Sequence, residues 1–117
     1  MSDIKTISTT EIEERLRAGG PFEFWNVLTD DYFNGEMIPG SRRVPLDRVG
    51  REAHEAGLPK TADVVVYCAS PKCPQSGMAA EKLQALGYTN VRAYEGGLEE
   101  WKGAGHNVES VGSAVAA

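Results

Sequence analysis

Residues Val64-Val65-Val66-Tyr67 form an unbroken apolar run rich in β-branched side chains, and Cys68 follows at once. A strand with one wet face alternates apolar and polar residues, so a continuous run asks for a strand covered on both faces. That is the position of a central strand in a parallel sheet. Parallel neighbours cannot be joined by a tight turn and need crossover connections, usually helices. The following residues supply one. Ala79, Leu83 and Leu86 recur at helical spacing, and Gly87 ends that helix. Residues 91–94 then read as the next strand, and Gly96-Gly97 opens a last helix through Trp101.

The first half repeats the alternation. Ser8-Thr9-Thr10-Glu11 is a capping-box signature, Ile12 and Leu16 share one helical face, and Gly19-Gly20 offers a left-handed stop. Residues 22–28 read as a strand and residues 30–34 as a brief polar helix. Ile38-Pro39-Gly40 is a turn, residues 41–44 a short strand, and residues 45–56 a charged helix closed by Gly57 and Pro59. Strands alternating with helices predict an open α/β sheet with helices on both faces. The 117 residues suit one domain, expected over residues 1–109, with residues 110–117 as a flexible C-terminal tail.

Composition narrows the function. Twelve basic residues against seventeen acidic ones leave a net charge of −5. This speaks against a nucleic-acid partner, which needs clustered Lys and Arg, and against an anionic membrane surface. No run approaches the roughly 18 apolar residues of a membrane span. Met1-Ser2-Asp3-Ile4-Lys5 lacks a basic-then-apolar secretory pattern, and two cysteines five residues apart make no disulfide framework. The expectation is a cytoplasmic domain without cofactor.

In open parallel sheets, ligands bind outside the carboxyl ends of the strands. Cys68 holds that place. It begins the loop Cys68-Ala69-Ser70-Pro71-Lys72-Cys73-Pro74-Gln75-Ser76-Gly77, which leads into a helix that Ser76 is expected to cap. The first amides and positive dipole end of that helix favour an anion or a thiolate in the loop, and Lys72 adds a movable positive charge. A low-pKa, accessible thiolate at Cys68 is the nucleophile that sulfur or phosphoryl transfer requires. The plainer reading makes Cys68 a small apolar side chain at the end of a buried strand. Cys73 reads as a resolving thiol, a second sulfur carrier or an inert loop residue.

Other polar residues point to solvent. His54 lies among Arg51, Glu52 and Glu55, and His106 is a similar case; Arg42-Arg43 reads as a solvated pair or, alternatively, as cations that reach the Cys68 loop from the end of the strand at residues 41–44. Asp30 and Asp31 are adjacent and so point apart. Two Cys and two His do not match zinc-ligand spacing, so no metal is expected. Phe24, Trp25 and Trp101 read as core.

At the Cys68 loop the chain resembles the single-domain rhodanese-like sulfurtransferases. Val64-Val65-Val66-Tyr67-Cys68 is similar to the family's active-site strand and nucleophile, and Leu86-Gly87-Tyr88-Thr89-Asn90-Val91 to the stretch before its last strand. Tyr94-Glu95-Gly96-Gly97-Leu98-Glu99-Glu100-Trp101 is similar to its closing Gly-Gly…Trp motif, and Ile38-Pro39-Gly40-Ser41 to its Ile-Pro-Gly-Ala element. The resemblance implies a rhodanese-like open parallel sheet of about five strands. It also implies transfer of sulfane sulfur from a thiosulfate- or polysulfide-type donor, through a Cys68 persulfide, to a thiol or cyanide acceptor. Backbone amides of residues 69–76 would cradle the sulfur, Lys72 would draw in the anionic donor, and Ser70 and Ser76 would donate hydrogen bonds. The expected partners are a small anionic donor and a thiol acceptor, a sulfur-carrier protein among them.

The chain departs from the family at functional positions. Asn26-Val27-Leu28 stands where Asp-Val-Arg is usual, and Glu36-Met37 precedes Ile38-Pro39-Gly40 where Gly-His is usual. The active loop is longer than the common Cys-x-x-Gly-x-Arg-Ser form and holds no Arg. Related cell-cycle phosphatases have a longer loop but keep that Arg, which disfavours phosphatase chemistry here. Lys72 gives a point charge where a guanidinium gives a bidentate fork, so thiosulfate should bind less well. Two alternatives follow: a catalytically weak binding or regulatory module, and a Cys68/Cys73 thiol redox switch.

Overall fold

The structure, a computed structural model, describes residues 4–19 and 22–110. In chain order the elements are β1 (Lys5–Thr6), α1 (Thr9–Ala18), β2 (Glu23–Asn26), β3 (Glu36–Met37), β4 (Arg42–Arg43), a 3-10 turn (Leu46–Arg48), α2 (Val49–Glu55), β5 (Val64–Tyr67), α3 (Gln75–Ala85), β6 (Val91–Tyr94), α4 (Gly97–Gly103) and β7 (Glu109–Ser110). Five strands form a wholly parallel sheet in the order β1-β6-β5-β2-β4. The expected α/β architecture is therefore the observed one.

β5 is the middle strand, and all four of its residues are buried. Alternation sends Val64 and Val66 to one face, against α2 and α3, with Trp25, Ala79, Leu83 and Val91. Val65 and Tyr67 go to the other face, against α1 and α4, with Ile12, Phe24, Leu98 and Trp101. Two apolar layers on one sheet explain why the run has no polar alternation. Phe24, Trp25 and Trp101 are core residues, as expected.

Local chemistry sets the helix ends. Ser8 caps α1 in a reciprocal box with Glu11, and Gly19 closes it with φ +71°. Several expectations shift. Residues 30–34 form one turn rather than a helix: the Thr29 carbonyl accepts from Tyr32 N (2.9 Å) and Phe33 N (3.0 Å), and the chain then leaves toward β3. Helical residues 45–56 divide into the 3-10 turn and α2. β1 and the antiparallel pair β3–β7 carry too few residues for a pattern to reveal them. Ser110, assigned by sequence to the tail, pairs with Glu36 in that small sheet. Residues 111–117 of the expected tail lie outside the described residues, as does Gly20. Among the described residues, no helix is long and apolar enough to cross a membrane.

Candidate active site

The carboxyl ends of β2, β5 and β6 lie side by side, with Asn26, Tyr67 and Tyr94 in register. Cys68 leaves this edge from the middle strand. Its carbonyl accepts from Leu98 N (3.0 Å), and the Ala69 carbonyl accepts from Glu99 N (2.8 Å). The start of α4 is thus capped by the start of the loop. This close approach needs Gly97: at φ +59° a Cβ there would overlap the Cys68 carbonyl oxygen. Gly77 has no such reason, since a Cβ there would meet nothing within 4 Å beyond its own helix.

The loop then makes a tight turn in which Cys73 N donates to the Ser70 carbonyl (3.0 Å). Pro71 sits inside that turn and Pro74 directly precedes α3, so ring-fixed φ values stiffen both. α3 starts at Gln75, one residue ahead of Ser76, and no side chain caps it. Ser76 is therefore not the cap the sequence led one to expect. It is buried in the first turn of α3, and its backbone and side chain pull the Cys68 thiol pKa down. Gln75 bridges to the loop after β2: its Oε1 accepts from Thr29 N (3.0 Å) and its Nε2 donates to Thr29 Oγ1 (3.0 Å).

The Cys68 side chain is buried, with no exposed surface. Its thiol donates to the Cys73 carbonyl at 3.4 Å. Burial, first, and then the interaction with Cys73 push the thiol from its ordinary 9.0 up to about 11, against the opposing pull of Ser76. This differs from the low-pKa, accessible thiolate expected of Cys68. A helix start alone lowers a thiol pKa, but here water is excluded and the neighbouring Cys73 side chain favours the protonated form. The expected cradle of amides over residues 69–76 is also reduced: Pro71 and Pro74 have no N–H, and the Cys73 amide is turned to Ser70.

The accessible thiol is Cys73. It is partly exposed and lines a groove of about 460 Å³ with Leu28, Tyr32, Lys72, Pro74 and Met78. Ala69, Ser70 and Gln75 complete the wall, whereas Cys68 is absent from it. Leu28, standing where the resemblance leads one to expect Arg, is buried and makes this wall apolar. Tyr32 and Met78 are exposed beside it. Lys72 is exposed and supplies the groove's one positive charge among its lining residues. Neither Arg42 nor Arg43 serves the loop. Arg42 pairs with Glu52 (2.9 Å) and lies over Trp25, while Arg43 bonds Asp30 (3.0 Å) and the Asn26 carbonyl and covers Phe33.

The motif elements have structural tasks. The Tyr67 hydroxyl, at the end of β5, accepts from Ile38 N (3.0 Å) and meets Ser41 Oγ (2.6 Å), which ties Ile38-Pro39-Gly40-Ser41 to the central strand. Asn26 is fully buried. Its Oδ1 accepts from Leu28 N (3.1 Å), which bends the chain out of β2, and an aspartate acceptor would do the same. His54 is exposed on α2, and His106 stacks on Trp101 and bonds Glu13; both lie away from the loop's groove.

Comparison with known proteins agrees with this fold. The rhodanese-like domain family matches residues 8–104. YqhL of Bacillus subtilis (strain 168) is 32% identical over 98 residues, covering 83% of this chain and 75% of that protein. Thiosulfate sulfurtransferase PspE of Escherichia coli (strain K12) is 34% identical over 79 residues, covering 67% of this chain and 73% of that protein. The Alr3790 protein from Anabaena sp. superposes with a TM-score of 0.77 at 27% identity, covering 90% of this chain and 80% of the other.

Proposed function

The chain belongs to the rhodanese-like domain family, and on that premise we propose that it is a sulfurtransferase working through a Cys68 persulfide. The observation that carries this reading is the position of Cys68, at the carboxyl end of the central parallel strand and at the head of the loop that leads into α3. Likeness to a protein named as a thiosulfate sulfurtransferase supports it.

In the proposed reaction, the Cys68 thiolate attacks the sulfane sulfur of thiosulfate or a polysulfide. The Cys68 Sγ–S bond forms as the donor S–S bond breaks, and sulfite or the shortened polysulfide leaves with the electron pair. An acceptor thiolate or cyanide then attacks the outer sulfur and releases Cys68 as thiolate. Ser76 would hold the negative sulfur in both steps. Before the first step, the Cys68 thiol must give up its bond to the Cys73 carbonyl, so the resting loop is a closed form. Lys72 draws the anionic donor to the mouth of the groove. A reducing compartment such as the cytoplasm would keep both thiols free for this chemistry.

Intact mass spectrometry of the reduced protein after thiosulfate, and separately after polysulfide, tests the proposal. A gain of one sulfur, removed by cyanide and absent in Cys68→Ala, is the expected result. No gain from either donor would sink it. The second reading, a weakly catalytic binding module, would then lead; the buried, raised-pKa thiol and the loop without Arg favour it.

A further inference from the structure

The two thiols divide between inside and outside. Cys68 is fully buried and lines no part of the groove, while Cys73 is partly exposed and forms part of its wall. They are neighbours all the same. Cys73 packs against the apolar cluster that contains Cys68, its carbonyl accepts the Cys68 thiol at 3.4 Å, and the two side chains interact. The groove is larger than a small oxyanion needs, at about 460 Å³, and falls in the range that holds small organic molecules. Its walls are Leu28, Tyr32, Pro74 and Met78, with Lys72 as the cation and the Gln75 amide already engaged by Thr29.

Building on the Cys68 persulfide, we propose that Cys73 is a second sulfur-carrying residue. It takes the sulfane sulfur from Cys68 and presents it in the groove to a thiol borne on an apolar organic body.

The chemistry needs no further reagent. Cys73 sulfur attacks the outer sulfur of the Cys68 persulfide, so a Cys73 Sγ–S bond forms while the Cys68 Sγ–S bond breaks. Cys68 leaves with the electron pair and takes the proton that Cys73 gives up. One persulfide and one thiol stand on each side, and nothing is oxidised overall. The acceptor thiol repeats the exchange at Cys73: its sulfur bonds to the outer sulfur, and Cys73 returns as a thiol with the acceptor's proton. An apolar acceptor fills the groove and reaches Cys73 there, and Lys72 favours the negative charge that develops on its sulfur as the proton leaves. Cys68 is fully buried and lines no part of the groove, so an acceptor seated there meets Cys73 instead.

Trypsin can separate the two thiols, because Lys72 lies between them and is followed by Cys73 rather than proline. The protein is loaded with whichever donor, thiosulfate or polysulfide, adds sulfur to it. Donor is removed, and samples are alkylated over time and mapped. Sulfur appearing first on the Cys68 peptide and then on the Cys73 peptide is expected, with no label on Cys73 in Cys68→Ala. In Cys73→Ser, transfer to phenylmethanethiol should fall about tenfold more than discharge to cyanide, from loss of the positioned second thiol.

Sulfur confined to Cys68, with that ratio unchanged, would overturn the relay and leave the sulfurtransferase reading standing. Label on Cys73 in Cys68→Ala would overturn the direction of transfer. A Cys68–Cys73 disulfide with hydrosulfide released would also overturn it, since Cys73 would then attack the inner sulfur. Failure of both donors to load either thiol would remove both proposals together.

Discussion

Gly97 lies against the Cys68 carbonyl so closely that only a residue without a Cβ fits there, and its φ of +59° belongs to the left-handed region. This contact seats the start of α4 on the start of the Cys68 loop, through Leu98 N–H on the Cys68 carbonyl and Glu99 N–H on the Ala69 carbonyl. Gly97→Ala should therefore cost about 1–2 kcal/mol from the left-handed backbone alone, with more from the overlap. The urea midpoint should drop, and Cys68 should alkylate faster as the loop loosens. An unchanged midpoint together with unchanged Cys68 labelling would show that this contact does not hold the loop.

Tyr67→Phe removes the hydroxyl that receives Ile38 N–H and meets Ser41 Oγ in a fully buried setting. The Ile38 amide is then left without its partner, at a cost of about 1–3 kcal/mol. Thermal unfolding checks this. Ser41→Ala leaves Tyr67 in place to receive Ile38 and should cost less; a larger loss for Ser41→Ala would reverse the assignment.

The Cys68 thiol is pushed up to about 11 from an ordinary 9.0, by burial first and by Cys73 second. A raised thiol pKa means the folded state holds its proton where the unfolded state has lost it. The resulting stability is fully present below pH 9.0 and is lost as pH rises toward about 11. Denaturant midpoints should fall over that window, and by less in Cys68→Ala. At neutral pH, iodoacetamide should label Cys73 well before Cys68. Equal labelling rates would mean that the closed loop is not the resting form.

Lys72 is exposed at the groove and offers a point charge. Lys72→Arg adds a planar fork matched to an oxyanion, so the thiosulfate KM should fall several-fold, while Lys72→Ala should raise it. Steady-state kinetics in low salt would show this most clearly, since screening weakens an exposed charge. A KM indifferent to all three side chains would place the donor elsewhere.

Much of the fold was legible because its signals are local. The Val64–Tyr67 strand agrees with its sequence boundaries, the Ser8–Glu11 box and Gly19 frame α1, and Gly97 marks the approach to the loop. Residues 30–34 misled because a polar stretch without apolar periodicity suits a turn as well as a helix. β3 and β7 escaped notice for another reason. Each is two residues long, and their pairing joins Glu36–Met37 to Glu109–Ser110 across most of the chain.

The candidate site divides along the same line. The sequence alone determined that Cys68 ends a doubly covered strand, enters a loop rich in Pro and Ser, and precedes a helix. Period, caps and ring-fixed φ angles act over a few residues and are written in their order. Only the tertiary structure decided which thiol meets solvent and which proton is held. That outcome depends on α1 and α4 covering Tyr67 and Cys68, on the Cys73 carbonyl turning inward, and on Leu28 and Met78 forming one wall from distant segments. Desolvation and hydrogen bonds of this kind are sums over whatever the fold brings near, and no short stretch of residues contains them.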